Sequence, residues 1–169
     1  MKQIMSKEEQ IRLVQIDGYA LIKFDDPDEE VQRLAVQQSG GVIEYIDEPS
    51  EEVKRLAVQQ DGYAIQYIDN PSKELQLLAV QQAGPAIDCI ENPDIDVQRA
   101  AIEQEPESIE FIYAPSKKIL KLAVQKNGYV IQLIDNPCEE VKRLAVKSDG
   151  QSIRFIPNPS DEVKRLAVQ

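Results

Sequence analysis

Seven prolines, Pro27, Pro49, Pro71, Pro93, Pro115, Pro137 and Pro159, stand 22 residues apart. A fixed period of this length marks a repeat array, in which each unit is one supersecondary element. With proline as position 1, the units read PDEEVQRLAVQQSGGVIEYIDE, PSEEVKRLAVQQDGYAIQYIDN, PSKELQLLAVQQAGPAIDCIEN, PDIDVQRAAIEQEPESIEFIYA, PSKKILKLAVQKNGYVIQLIDN and PCEEVKRLAVKSDGQSIRFIPN. A half unit, PSDEVKRLAVQ, follows at 159–169. Residues 1–26 hold a divergent unit that keeps DGYALIKF and suits a polar cap. The expected organisation is a single repeat domain over 1–169, with six full repeats at 27–158.

Each unit reads as two helices. In its first half, apolar residues at positions 5, 8, 9 and 10 make one wide helical face. Asn70, Asn92, Asn136 and Asn158 suit the N-cap, with proline then at the first helical position. Gly40, Gly62, Gly84, Gly128 and Gly150 read as stops that use positive φ. The segment after the glycine is short. Tyr63, Ile65 and Tyr67 alternate as a strand would, but isoleucine recurs at positions 17 and 20, a helical spacing. The expectation is a helix, partly 3₁₀ at about seven residues. No unit buries its own apolar faces, so neighbours must stack. The expected class is an all-α solenoid of about seven helix–turn–helix repeats. Its core runs through Leu34, Val36, Ile43, Ile46 and their equivalents. Truncating Leu56 to alanine is expected to cost about 2–5 kcal/mol.

Composition narrows the chemistry. The 169 residues carry 19 Lys+Arg and 30 Asp+Glu, a net charge of −11, with no histidine and two cysteines. Without histidine there is no Ser-His or Cys-His pair and no histidine-ligated zinc. An acidic chain is a poor ligand for a phosphate backbone. No run of about 18 apolar residues suggests a membrane span, and MKQIMSKEEQIR lacks a signal-peptide core. The expected location is the cytoplasm, that of the host if the source is a virus.

The pattern V-x-R-L-A-V-Q-x-x-G-x-A-I-x-x-I-x-N-P resembles short helical repeats of bacterial and viral proteins, catalogued as a domain of unknown function. It is also similar to HEAT-like and leucine-rich-repeat-variant solenoids. The resemblance covers residues 5–169. It implies a binding scaffold whose second helices line the contact face, and it carries over no catalytic residue.

Repeated carboxylates at positions 3, 4 and 21 read as caps or solvated groups rather than as one acid–base pair. Cys89 and Cys138 lie at unrelated repeat positions, too far apart to bond, and are expected as free thiols. Charge is polarised: residues 1–114 carry −15 and residues 115–169 carry +4. The switch falls where Glu105-Pro106-Glu107 replaces the usual glycine turn, and a change of pitch is expected there.

Position 7 is Arg or Lys in six of seven units, and Glu51 is placed to pair with Arg55 at i,i+4. Four apolar or aromatic residues break the pattern: Leu77, Ile95, Tyr113 and Leu120. Leu77 and Ile95 are expected as neighbours on adjacent first helices. Positions 18 and 21 of the second helices predict an acidic stripe, Glu44, Asp47, Asp69, Asp88, Glu91 and Glu110, beside Tyr63 and Tyr67.

The expected function is a non-catalytic, protein-binding scaffold or regulator, without cofactor or metal. Its partner is a protein with a basic surface; direct nucleic-acid or membrane binding is not expected. The contact set is Glu44, Asp47, Tyr67, Leu77, Asp88, Glu91, Ile95, Glu110, Tyr113 and Leu120. A homodimer through Val163, Leu166 and Ala167 of the last helix is also expected. The alternative is an acidic, nucleic-acid-mimicking inhibitor, as a virus-encoded counter-defence protein would be. An enzyme such as a HEAT-like DNA glycosylase is disfavoured by the acidic lining.

Overall fold

A computed structural model describes residues 5–168. Among these residues every regular element is helical: eight α-helices alternate with seven 3₁₀ helices, with no strand. The chain is an all-α repeat of solenoid type, and its contacts cluster into two compact units, Met1–Ile90 and Glu91–Gln169.

The first unit holds α1 (Lys7–Ile16), α2 (Glu29–Gln38), α3 (Glu51–Gln60) and α4 (Lys73–Gln82). The 3₁₀ helices Gly18–Lys23, Gly40–Tyr45, Gly62–Tyr67 and Gly84–Cys89 follow them in turn. Successive α-helices pack side by side, successive 3₁₀ helices do the same, and each of the first three 3₁₀ helices also rests on the next repeat's α-helix. Two layers result, and the core lies between them. Val53, Ala57 and Val58 from the α layer meet Ala64, Ile65 and Ile68 from the 3₁₀ layer, all buried. Burying a Val or Ile side chain of this kind stabilises by about 1.5–3 kcal/mol.

The second unit repeats the scheme with α5 (Ile95–Gln104), α6 (Lys117–Lys126), α7 (Glu139–Ser148) and α8 (Asp161–Leu166). Its 3₁₀ helices are Pro106–Phe111, Gly128–Leu133 and Gly150–Phe155. Isoleucines 109, 112, 131 and 134 are buried; position 17 lies in the 3₁₀ helix and position 20 is its extended C-cap residue. The second segments are 3₁₀ over their full six residues, where a mixture was expected.

The helix starts lie two residues later than expected. Position 2, not the asparagine, is the N-cap: Ser50 accepts from the Val53 N–H at 3.3 Å, Ser72 from Leu75 at 3.3 Å and Asp28 from Val31 at 3.1 Å. Proline therefore precedes the cap. Asn70, Asn92, Asn136 and Asn158 instead adopt left-handed φ of 48° to 52°, a role that asparagine tolerates better than most residues. Cys138 stands at the one cap with a thiol and makes no capping bond.

The glycine expectation is also corrected. Among the described residues no glycine has positive φ. The glycines are required by close approach: a Cβ on Gly62 would stand 2.6 Å from the carbonyl oxygen of Ala79, one repeat on. The Pro106 turn accordingly needs no special φ. Pro106 opens a 3₁₀ helix of the same six-residue length as the others, so the positive-φ reason for a change of pitch does not apply, although its ring occupies the slot where the glycines admit the next repeat's carbonyl.

Two side chains depart from expectation as well. Leu56 is half-buried, as are Leu34 and Leu78, because position 8 lies at the rim of the α layer. The large truncation cost therefore belongs to positions 5 and 10 and to the isoleucines. Arg55 turns to Glu52 at 2.8 Å rather than to Glu51, which pairs with Lys54 at 2.8 Å.

Candidate functional site

The two layers present different chemistry. In the first unit the outer α surface is charged, with a shallow groove of about 490 Å³ between α3 and α4. Leu75, Leu77 and Leu78 floor it, and Glu51, Arg55 and Glu74 are among its rim residues. Leu77 replaces the usual position 7 cation and is half-buried there.

The outer face of the 3₁₀ layer is aromatic and acidic. Tyr19, Tyr45, Tyr63 and Tyr67 are all exposed, Tyr45 at 49%. Each sits on a 3₁₀ helix, whose inner side is taken by alanine, valine, leucine or isoleucine. Asp17 and Asp61 cap these helices by accepting from the N–H of Tyr19 at 3.0 Å and Tyr63 at 2.9 Å. Those bonds hold positions 13 and 15 in one local geometry. Tyr19 and Tyr45 meet edge to face, with centroids 6.3 Å apart and planes at 70°. The pair spans adjacent repeats, since position 15 of one unit lies against position 19 of the next. Tyr129 and Phe155 repeat the contact in the second unit at 5.9 Å.

Glu44 adjoins this row. Its negative charge is the largest influence raising both the Tyr45 and the Tyr67 phenols above the ordinary value of 10.0, with Tyr19 contributing to both. The Glu44 charge is thus felt by two phenols of this exposed patch, and Asp61 adds a smaller influence on Tyr67. Cys89, at the end of the same layer, is half-buried and free, and its thiol is pushed up first by burial and then by Asp88.

The structure brings together Glu44 and Tyr67 of the expected contact set and adds Tyr19 and Tyr45, which the acidic-stripe reading passed over. Their signal was legible as a spacing of one repeat plus four residues. Asp88 and Asp69 are exposed. Asp47 edges a small hollow with Leu21, Ile22, Tyr45 and Ile46. Leu77 lies on the other layer, so it does not share a face with Glu44, Asp69 and Asp88.

In the second unit Glu91 and Glu110 are exposed, and Tyr113 is 99% exposed beside Ala114, which has φ 47°. Ile95 opens α5 and is exposed. Leu120 is half-buried in α6, in the slot where Gln98 donates to the Pro93 carbonyl at 2.9 Å. Val163 is fully buried, with α8 packed on α7, so it is not open to a second copy as expected. Leu166 and Ala167 are half-buried. Among the described residues no helix is long and apolar enough to cross a membrane, and no group of three metal-ligating side chains converges.

Comparison with family models, curated proteins and solved structures returned no match.

Proposed function

We propose that this chain is a non-catalytic protein-binding scaffold whose contact surface is the outer 3₁₀ face of the first unit. One observation carries the reading: Tyr19, Tyr45 and Tyr67 lie exposed around the Glu44 carboxylate on a packed two-layer support. Tyrosine offers a large, rigid contact area with a polar tip, which is why it is enriched at interface hot spots. The carboxylate sets the sign of the partner's surface as basic, and the net charge of −15 over residues 1–114 steers such a partner.

That charge also favours a second reading, an inhibitor that occupies the nucleic-acid cleft of its target. The two readings share the face and differ in one observable: competition by DNA or RNA.

The test has two steps. Proteins retained by the immobilised chain from its source lysate are purified and measured against wild type and the Tyr45→Ser/Tyr67→Ser variant. The expected result is binding weakened about tenfold or more by the pair of substitutions, with helicity unchanged and association slowed by salt. Release of the target by oligonucleotides selects the inhibitor reading. Equal affinity for wild type and variant rejects the 3₁₀ face.

A further inference from the structure

The aromatic row of the first unit is interrupted at one place. Position 15 holds Tyr19, Gly41 and Tyr63, and position 19 holds Tyr45 and Tyr67. Where position 15 is Tyr19, its ring meets position 19 of the following repeat, Tyr45. Gly41 supplies no ring to meet Tyr67. The space is entered instead by Tyr19: a Cβ on Gly41 would stand 3.0 Å from the Tyr19 hydroxyl oxygen. Tyr19 and Tyr45 therefore meet beside a glycine floor, and the Glu44 charge reaches both Tyr45 and Tyr67.

Two features define what this corner takes. Its carboxylates, Glu44 foremost with Asp61 a weaker influence on Tyr67, select a cation. Its Tyr19 and Tyr45 rings stand at 70° to each other and in contact, so they form a corner rather than the facing walls of a cage. A compact ammonium is best held when several ring faces surround it. A planar guanidinium needs only one ring face to lie on and a carboxylate for its fork, and it sheds its hydration more readily.

We propose that this corner is a receptor for an arginine side chain of a partner protein, with the guanidinium flat on a tyrosine ring and forked onto Glu44. The proposal rests on the reading of the 3₁₀ face as a protein-contact surface and names the chemistry recognised there. Gly41 is the residue that keeps the corner open, and a tyrosine in its place fills it while leaving every receptor group present.

The test uses the full chain with ring-labelled tyrosine, followed by NMR during titration with two blocked peptides, Gly-Gly-Arg-Gly-Gly and Gly-Gly-Lys-Gly-Gly. The arginine peptide is expected to shift the signals of Tyr19, Tyr45 and Tyr67 and to bind about two- to fivefold tighter than the lysine peptide. Glu44→Gln and Gly41→Tyr are each expected to remove that preference with the helical circular-dichroism signal retained. Equal binding of both peptides at these tyrosines overturns the arginine receptor and leaves the contact-face reading standing. Absence of any shift at the three rings also overturns the receptor. The contact-face reading is judged separately, by the partner's affinity for Tyr45→Ser/Tyr67→Ser.

Discussion

A Cβ on Gly40 would stand 2.5 Å from the carbonyl oxygen of Ala57. The carbonyl belongs to the α-helix of the following repeat, so the glycine is a contact residue of the stack rather than a turn residue. Its own N–H donates to Gln60 Oε1 at 2.6 Å, again one repeat on. Gly41, the next residue, faces only the far end of the Tyr19 side chain. The two glycines should therefore respond oppositely to the same change. Gly40→Ala is expected to cost about 1–3 kcal/mol, as other overpacked interiors do. Gly41→Ala should be neutral or stabilising by up to about 1 kcal/mol, because its φ is ordinary and the unfolded chain loses freedom. Urea unfolding of both variants checks the contrast, and equal losses would refute the close-approach account.

Ala114 is expected to gain from replacement by asparagine. It holds φ 47° at the position where four other repeats carry Asn70, Asn92, Asn136 and Asn158. Left-handed backbone costs an ordinary L-residue about 1–2 kcal/mol, and asparagine offsets part of that. Ala114→Asn should raise the urea midpoint by the equivalent of about 1 kcal/mol. A lowered midpoint would argue against strain at this turn.

The hydroxyls of Ser108 and Ser152 are fully buried and have no hydrogen-bond partner. The same repeat position holds Ala64 and Ala86, also buried, so a methyl group fits the slot. A buried, unpaired hydroxyl costs about 1–3 kcal/mol. Ser108→Ala should therefore stabilise by about 1 kcal/mol, read from the thermal or urea midpoint. Destabilisation would mean that the hydroxyl has a partner.

Alkaline titration reads the Glu44 cluster directly. Tyr45 and Tyr67 have folded values raised above the ordinary 10.0, chiefly by the Glu44 charge. With a raised folded value, the linked stability is complete below about pH 10 and is lost as pH rises through the folded value. Ultraviolet absorbance should show a phase of tyrosine ionisation displaced above the ordinary value of 10.0. Glu44→Gln should move that late phase to lower pH. An unchanged curve would place the carboxylate away from the rings.

The 22-residue period, the helical character of both halves and the identity of the core isoleucines were all legible in the sequence. The reason is that each is a local property: the spacing of apolar residues along one segment decides which side of that segment is buried. The N-cap was misplaced by two residues because Asn-Pro and Ser are both good starting signals. Only the backbone geometry assigns the cap to Ser50 and the left-handed turn to Asn70. Gly62 was read as a helix stop at positive φ because nothing local distinguishes that use of glycine from crowding by Ala79. The tyrosine patch depended on tertiary structure for the same reason. Tyr19 and Tyr45 belong to different repeats, and their contact needs the offset between two stacked 3₁₀ helices. Periodicity states that neighbours stack; the packing of each helix on the next decides which side chains then meet.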